Sequence, residues 1–336
     1  NLSKDDSNGF FAAGLQDDVL TSLAKIHALR VVSGASVLSY QKPGLRNMRE
    51  IGGALRVENV LEGSVRREGN RVLLNVQLVD ARNDRNLWAE RYDRTGADAI
   101  GLQGALAFEI AAALQAKLAP EEAEHLAKKP TANPEAYKLY LKGLGWERVV
   151  NTSDESRTAA EQLYAQAVAL DPKFALARAR LSIVESDLAG GMDGPLPGAK
   201  ARVAAEEALR LSPSLGEAHL ALGLCYYSSD KNYPAALREF SIAAATLPNE
   251  PNILIYIAGV YRRQGRWHDS IAAFRRAQQL DPRHVHGVDR AASTFPLVPE
   301  WAAAPNWYNH AQWNAPPPDS RAVGLAHHRA FAPTHP

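Results

Sequence analysis

One cysteine among 336 residues, Cys225, excludes any intrachain disulfide and any site built on several thiolates. A dominant charge sign is also missing. Lys and Arg number 38 against 37 Asp and Glu, a formal charge of +1, so nothing marks a surface for nucleic acid or an acidic membrane. No stretch approaches the roughly 20 apolar residues that span a bilayer. The chain also lacks a Gly-rich phosphate loop, a zinc-protease helix motif and a nucleophile elbow. The chain opens on Asn1 without a charged-then-apolar leader, and the expectation is a fragment of a longer protein.

What is present divides in two. In the first 130 residues, Phe11, Leu15, Val19, Leu23 and Ile26 recur at three- and four-residue spacing and predict one face of a helix. Leu29–Val32 reads as a short buried strand, and Met48, Ile51 and Leu55 as the face of a short helix. Three strand-like runs follow, Val60–Arg66, Arg71–Asp80 and Asn86–Tyr92, divided by the turns Glu68-Gly69-Asn70 and Arg82-Asn83-Asp84. In the middle run Val72, Leu74, Val76 and Leu78 form an apolar face opposite a mixed one, as in a sheet covered on one side. An Ala-rich helix from about Leu102 to Leu118 carries Leu102, Leu106, Ile110 and Leu114 on one stripe and is its natural cover. The fold class expected is an α+β unit, a three- to four-stranded sheet with covering helices.

The stretches FFAAGLQDDVLTSLAKIHALRVVSGAS and VENVLEGSVRREGNRVLLNVQLVDARNDRNLWAERYDR resemble the TolB amino-terminal (FlgO-like) domain. That domain occurs in bacterial adenylate and guanylate cyclases, winged-helix regulators and some kinases, usually ahead of tetratricopeptide repeats. The resemblance implies a strand preceding the "NLS" that opens this chain, and it carries no catalytic residues across.

From residue 131 the chain repeats at about 34 residues, the period of a tetratricopeptide superhelix. Copies are expected at 134–172, 173–213, 214–249 and 250–283, with a degenerate fifth at 284–317 and a truncated or disordered tail at 318–336. The best copy sets Tyr261, Gly265, Trp267, Ser270, Phe274, Ala277 and Pro282 at the motif's spacing. The copy before it has Gly223, Tyr226, Tyr233, Ala236, Phe240, Ala243 and Pro248. Pro296, Pro299 and Pro305 interrupt the fifth copy, and a proline inside a helix costs about 3 kcal/mol.

No catalytic, cofactor or metal site is assigned. His284, His286, His310, His327, His328 and His335 crowd the end without carboxylates or thiolates at ligand spacing, so a solvated tail is expected. Asp17 and Asp18 diverge on their helix and read as a solvated turn, Cys225 as core, and Arg66 and Arg67 as a wetted strand end. The first helix of each repeat would line a concave groove. Groove candidates are Glu217, Leu220, Leu224 and Tyr227, then Asn252, Ile255, Gly259, Arg262 and Arg263, suited to a peptide with an acidic or C-terminal carboxylate. The expected partner is a protein or peptide, with no direct nucleic-acid contact. A cytoplasmic setting is expected, with the periplasmic side of a membrane-anchored parent as the alternative.

Overall fold

The computed structural model describes residues 6–37, 40, 47–68, 71–95, 98–149, 154–189 and 199–282. The fifth repeat, the tail and its histidines lie outside these residues, as does most of the first hairpin turn.

Helix α1 (Asp6–Ala24) buries Phe11, Leu15, Val19 and Leu23, the face its spacing predicts, and Ile26 just beyond it is also buried. A single turn, α2 (Gly34–Val37), precedes α3 (Met48–Leu55), whose N-cap Asn47 accepts from the backbone N–H groups of Arg49 and Glu50. The strands β1 (Asn59–Glu68), β2 (Arg71–Asp80) and β3 (Arg85–Thr95) form an antiparallel meander in that order. Val72, Leu74, Val76 and Leu78 face the core, whereas Asn75 and Gln77 face outward and bond Ser64 and Glu62 across the ladder. The second turn is held by the Asp80 carboxylate, which accepts from Arg82 N (2.9 Å) and Asn83 Nδ2 (3.2 Å), with Asp84 at positive φ. Helices α4 (Leu102–Ala113) and α5 (Pro120–Ala127) complete this unit. Leu102, Leu106 and Ile110 pack on the apolar sheet face together with Val19, Leu23 and Ile26.

One expected element is corrected. Leu29–Val32 is not a strand, and among the described residues the sheet has three strands, within the expected three to four. Its neighbours explain why. Among the described residues the segment pairs with no strand. Ser33 N–H donates instead to Asp281 Oδ2 (3.1 Å), and Arg30 donates to the carbonyls of Gln279 and Arg56.

The remaining elements are four antiparallel hairpins: α6 (Pro134–Val149) with α7 (Asp154–Leu170), α8 (Ala175–Leu188) with α9 (Ala199–Leu211), α10 (Gly216–Ser228) with α11 (Tyr233–Thr246), and α12 (Pro251–Arg263) with α13 (Trp267–Leu280). The repeat spacing has a packing cause. A Cβ on Gly223 would come within 2.5 Å of the Phe240 ring, and one on Gly143 within 2.5 Å of Tyr164. A small residue on the first helix thus receives an aromatic from the second. Aromatic contacts then join successive hairpins, with Tyr140 5.2 Å from Phe174 and Phe240 5.8 Å from Tyr256 between ring centroids.

The two parts share a core across residue 131. Phe11, Leu15, Val72 and Ile100 lie in one cluster with Tyr137, Tyr140, Leu141, Leu144, Tyr164 and Phe174. Helices α1 and α6 run antiparallel and almost touch at their backbones. A Cβ on Gly14 would fall 1.7 Å from the Leu141 carbonyl oxygen, and one on Gly145 2.0 Å from that of Phe10. Only glycine permits this approach. At one end Phe10 stacks on Trp146 at 4.2 Å.

Candidate functional site

The inner helices of the hairpins carry a polar layer where they face α1 and the segment that follows it. Tyr137 Oη donates to Asp18 Oδ2 (2.6 Å), with Gln103 Oε1 2.9 Å away. Asp18 is 3 % exposed, so it is not the solvated turn residue expected from its neighbour in sequence. Burial pushes its carboxyl up to about 6, against the pull of the Tyr137 hydrogen bond and of Lys25. Burial likewise raises Glu147 on α6, although Arg180 on α8 lies 3.6 Å away and Tyr164 Oη donates to it. Burial opposes the charge on Arg180, yet Glu147 and the surrounding oxygens hold its guanidinium protonated. Tyr140 Oη and Arg180 Nε, both buried, have no hydrogen-bond partner within the protein, which makes this layer a place for ordered water.

Farther along, the chain after α1 crosses the turns between repeats. Lys25 Nζ lies 3.0 Å from Glu217 Oε1 at the start of α10, where the carboxylate side chain is 3 % exposed. Burial pushes the Glu217 carboxyl up, but Lys25, its own backbone N–H and Arg180 more than reverse this and hold it below its ordinary value. The Asn249 side chain, between α11 and α12, donates to the carbonyls of Ala24 (3.2 Å) and Ile26 (3.0 Å). Asp281, after α13, is fully buried and accepts from Ser33 N–H (3.1 Å) and Ser36 Oγ (2.8 Å). Residues 24–36 run from the end of α1 through turns into α2, and the repeats hold them through backbone groups, the cations Lys25 and Arg30 and the Ser36 hydroxyl.

The groove candidates separate into two groups. Glu217, Leu220, Leu224, Tyr227 and Ile255 are buried, as is Gly259. Leu220, Leu224 and Tyr227 pack in the core of the third hairpin, and Ile255 packs against Phe274 in the fourth. The cause is crowding. All residues of α10 except His219 and Tyr226 are buried, because α8, α9, α11 and α12 surround it. Asn252 is half-buried, with its N–H donating to Glu250 Oε1 (3.0 Å). Arg262 is half-buried and Arg263 exposed, with Arg263 Nε 3.4 Å from Tyr227 Oη. The two arginines thus stay near solvent while the apolar candidates do not. Lys25, Asn249 and Asp281 were not singled out in the sequence. Asn249 and Asp281 each adjoin the proline that ends a repeat, and that position is the signal available.

Cys225 is buried among apolar residues, and burial raises its thiol. Among the described residues no three His, Cys, Asp or Glu come together to hold a metal ion, and no helix is long and apolar enough to cross a membrane.

No family model matches the chain. A curated relative, putative adenylate cyclase 3 of Rhizobium meliloti (strain 1021), is 33 % identical over 227 residues, which is 67 % of this chain and 38 % of the relative. The chain therefore spans well under half of that relative's length. Among solved structures, a Pseudomonas aeruginosa pilF structure is 16 % identical with a TM-score of 0.43, covering 59 % of this chain and 84 % of its own. A thermophilic TPR protein of Thermus thermophilus is 22 % identical with a TM-score of 0.40, covering 58 % of this chain and 94 % of its own. A MamA crystal structure is 14 % identical with a TM-score of 0.37, covering 51 % of this chain and 92 % of its own.

Proposed function

We propose that this chain is a non-catalytic protein-binding and regulatory module of a bacterial signalling protein, a tetratricopeptide-type array joined to an α+β unit. The observation that carries the reading is the way the repeats hold the backbone of residues 24–36, with Asn249 donating to the Ala24 and Ile26 carbonyls and Asp281 accepting from Ser33 N–H. A surface that binds one segment of its own chain through its backbone groups is suited to linear protein segments in general. The resemblance of residues 1–118 to the TolB amino-terminal domain belongs to the same proposal, supported by the succession of α1, the three-stranded meander and α4. The groove end near Arg262 and Arg263 is the proposed site for an acidic or carboxylate-bearing segment. The test is affinity capture with the wild-type chain and with Arg262→Glu/Arg263→Glu. Proteins retained by the first and lost by the folded variant support the site. An identical set for both removes it.

A second reading rests on the 33 % identity to the putative adenylate cyclase. In it the chain is the regulatory region of a cyclase whose catalytic part lies elsewhere in the polypeptide. Purified chain then makes no cyclic AMP from ATP, and a longer gene product makes it at a rate that changes when residues 131–282 are removed. Synthesis by the chain itself would overturn the non-catalytic assignment. A winged-helix regulator or an envelope-associated protein are further parents within this proposal.

A further inference from the structure

The rim made by the turns between repeats has a chemistry that dictates its occupant. Glu217 presents a carboxylate with almost no exposure, and a buried charge left without a partner is strongly destabilising. Whatever fills the rim must therefore bring a cation there. Asn249 presents two N–H donors to carbonyls two residues apart, which demands an exposed backbone. Asp281 is fully buried and takes an N–H and a hydroxyl. Residues 24–36 supply all of these, with Lys25, the carbonyls of Ala24 and Ile26, and the serines eight and eleven residues after the lysine.

Among the described residues the segment meets the third and fourth hairpins through Lys25 to Glu217, Asn249 to Ala24 and Ile26, Arg30 to the Gln279 carbonyl (3.2 Å), and Ser33 and Ser36 to Asp281, while its buried Ile26 and Val32 belong to apolar clusters that hold no residue of those hairpins. The glycine-mediated packing of α1 lies against α6, in the first hairpin. The far hairpins can therefore part from the segment without opening an apolar core.

We propose that the rim of Glu217, Asn249 and Asp281 is a linear-peptide site, closed within the chain by residues 24–36. It takes from a partner protein a segment with a Lys or Arg followed eight to eleven residues later by Ser or Thr, in the turned conformation that residues 24–36 adopt here. This rests on the protein-binding reading above but uses different residues from the Arg262/Arg263 end, so either can fail alone. The tethered segment competes at an effective concentration of order millimolar, so a free peptide enters the wild-type rim only at comparable concentration.

The experiment uses a fluorescently labelled peptide of residues 22–37 as probe, with the full chain carrying Lys25→Ala/Ser36→Ala. Anisotropy is expected to show binding at least about tenfold tighter to this variant than to wild type. A peptide with alanine in place of its lysine should bind about tenfold more weakly, and Asn249→Ala in the variant should abolish binding. Equal affinity for wild type and variant, or binding indifferent to the peptide lysine, would overturn the proposal. Should the variant not fold, the wild-type chain is irradiated with the same peptide at millimolar concentration, carrying a photoreactive group beside its lysine. Crosslinks at residues 214–222 and 247–252 support the site, and crosslinks elsewhere or none defeat it. A concentration-dependent dimer of the variant that excludes the peptide assigns the rim to a second copy of the chain and overturns the foreign occupant.

Discussion

Asp18 shows how far one buried group can shape the behaviour of this molecule. Its carboxyl is ordinary in the unfolded chain, near 3.8, and is raised to about 6 in the folded one. A group raised on folding contributes stability that is complete below the unfolded value and lost as pH rises through the folded value. Two units correspond to about 3 kcal/mol. Chemical denaturation at pH 4 and pH 7 should therefore show wild type losing about 2–3 kcal/mol relative to Asp18→Asn, an isostere that keeps the Tyr137 contact. Parallel curves for the two proteins would mean that Asp18 is hydrated. Asp80 has the opposite sign. Arg82, through its side chain and backbone N–H, holds the Asp80 carboxyl down to about 2, so its contribution is present above pH 4 and fades as pH falls toward 2. Replacing Asp80 by Asn should flatten the acid limb of a stability-versus-pH curve. The sequence concealed both. Adjacent aspartates on a helix read as solvated until a tyrosine 119 positions away is known to reach one of them.

At the scale of elements, the pairing of α1 with α6 decides how the two halves meet. Gly14 and Gly145 allow backbone contact, and a methyl at either would sit 1.7 or 2.0 Å from a carbonyl oxygen. Gly14→Ala should cost about 3 kcal/mol, at the upper end of overpacking effects, while Gly53→Ala, open to space, should be near neutral. Thermal melts of the two variants check this, and equal melting temperatures would contradict the close approach. Helices α1, α3 and α4 and the meander were legible because amphipathic spacing and alternation are local properties, and the repeat register because it recurs, whereas the short α2 and α5 were not foreseen. Leu29–Val32 misled because an apolar run of four carries no information on whether a strand edge is within reach. The burial of most groove candidates was illegible for a related reason. Spacing gives the face of α10 but not that its neighbours enclose nearly all of it.

For the whole molecule, the polar closure between residues 24–36 and the far hairpins is the feature that joins fold to function. Lys25→Met alone should cost about 3 kcal/mol by orphaning the Glu217 carboxylate, whereas Lys25→Met with Glu217→Leu should recover most of that loss. Additive effects in this double-mutant cycle would mean that the pair does not interact.

Native-state hydrogen exchange on the intact chain tests most directly whether this closure opens on its own. The amides of Ser33 and Asn249, which donate to Asp281 and to the Ala24 carbonyl, are the reporters of closure. The amides within α1 and α6 report on the shared core. A releasable closure predicts that the reporters exchange at least about tenfold faster than the α1 and α6 amides. Exchange of both sets through one opening, at the same rate, would show the rim to be a fixed part of the core and not a binding site.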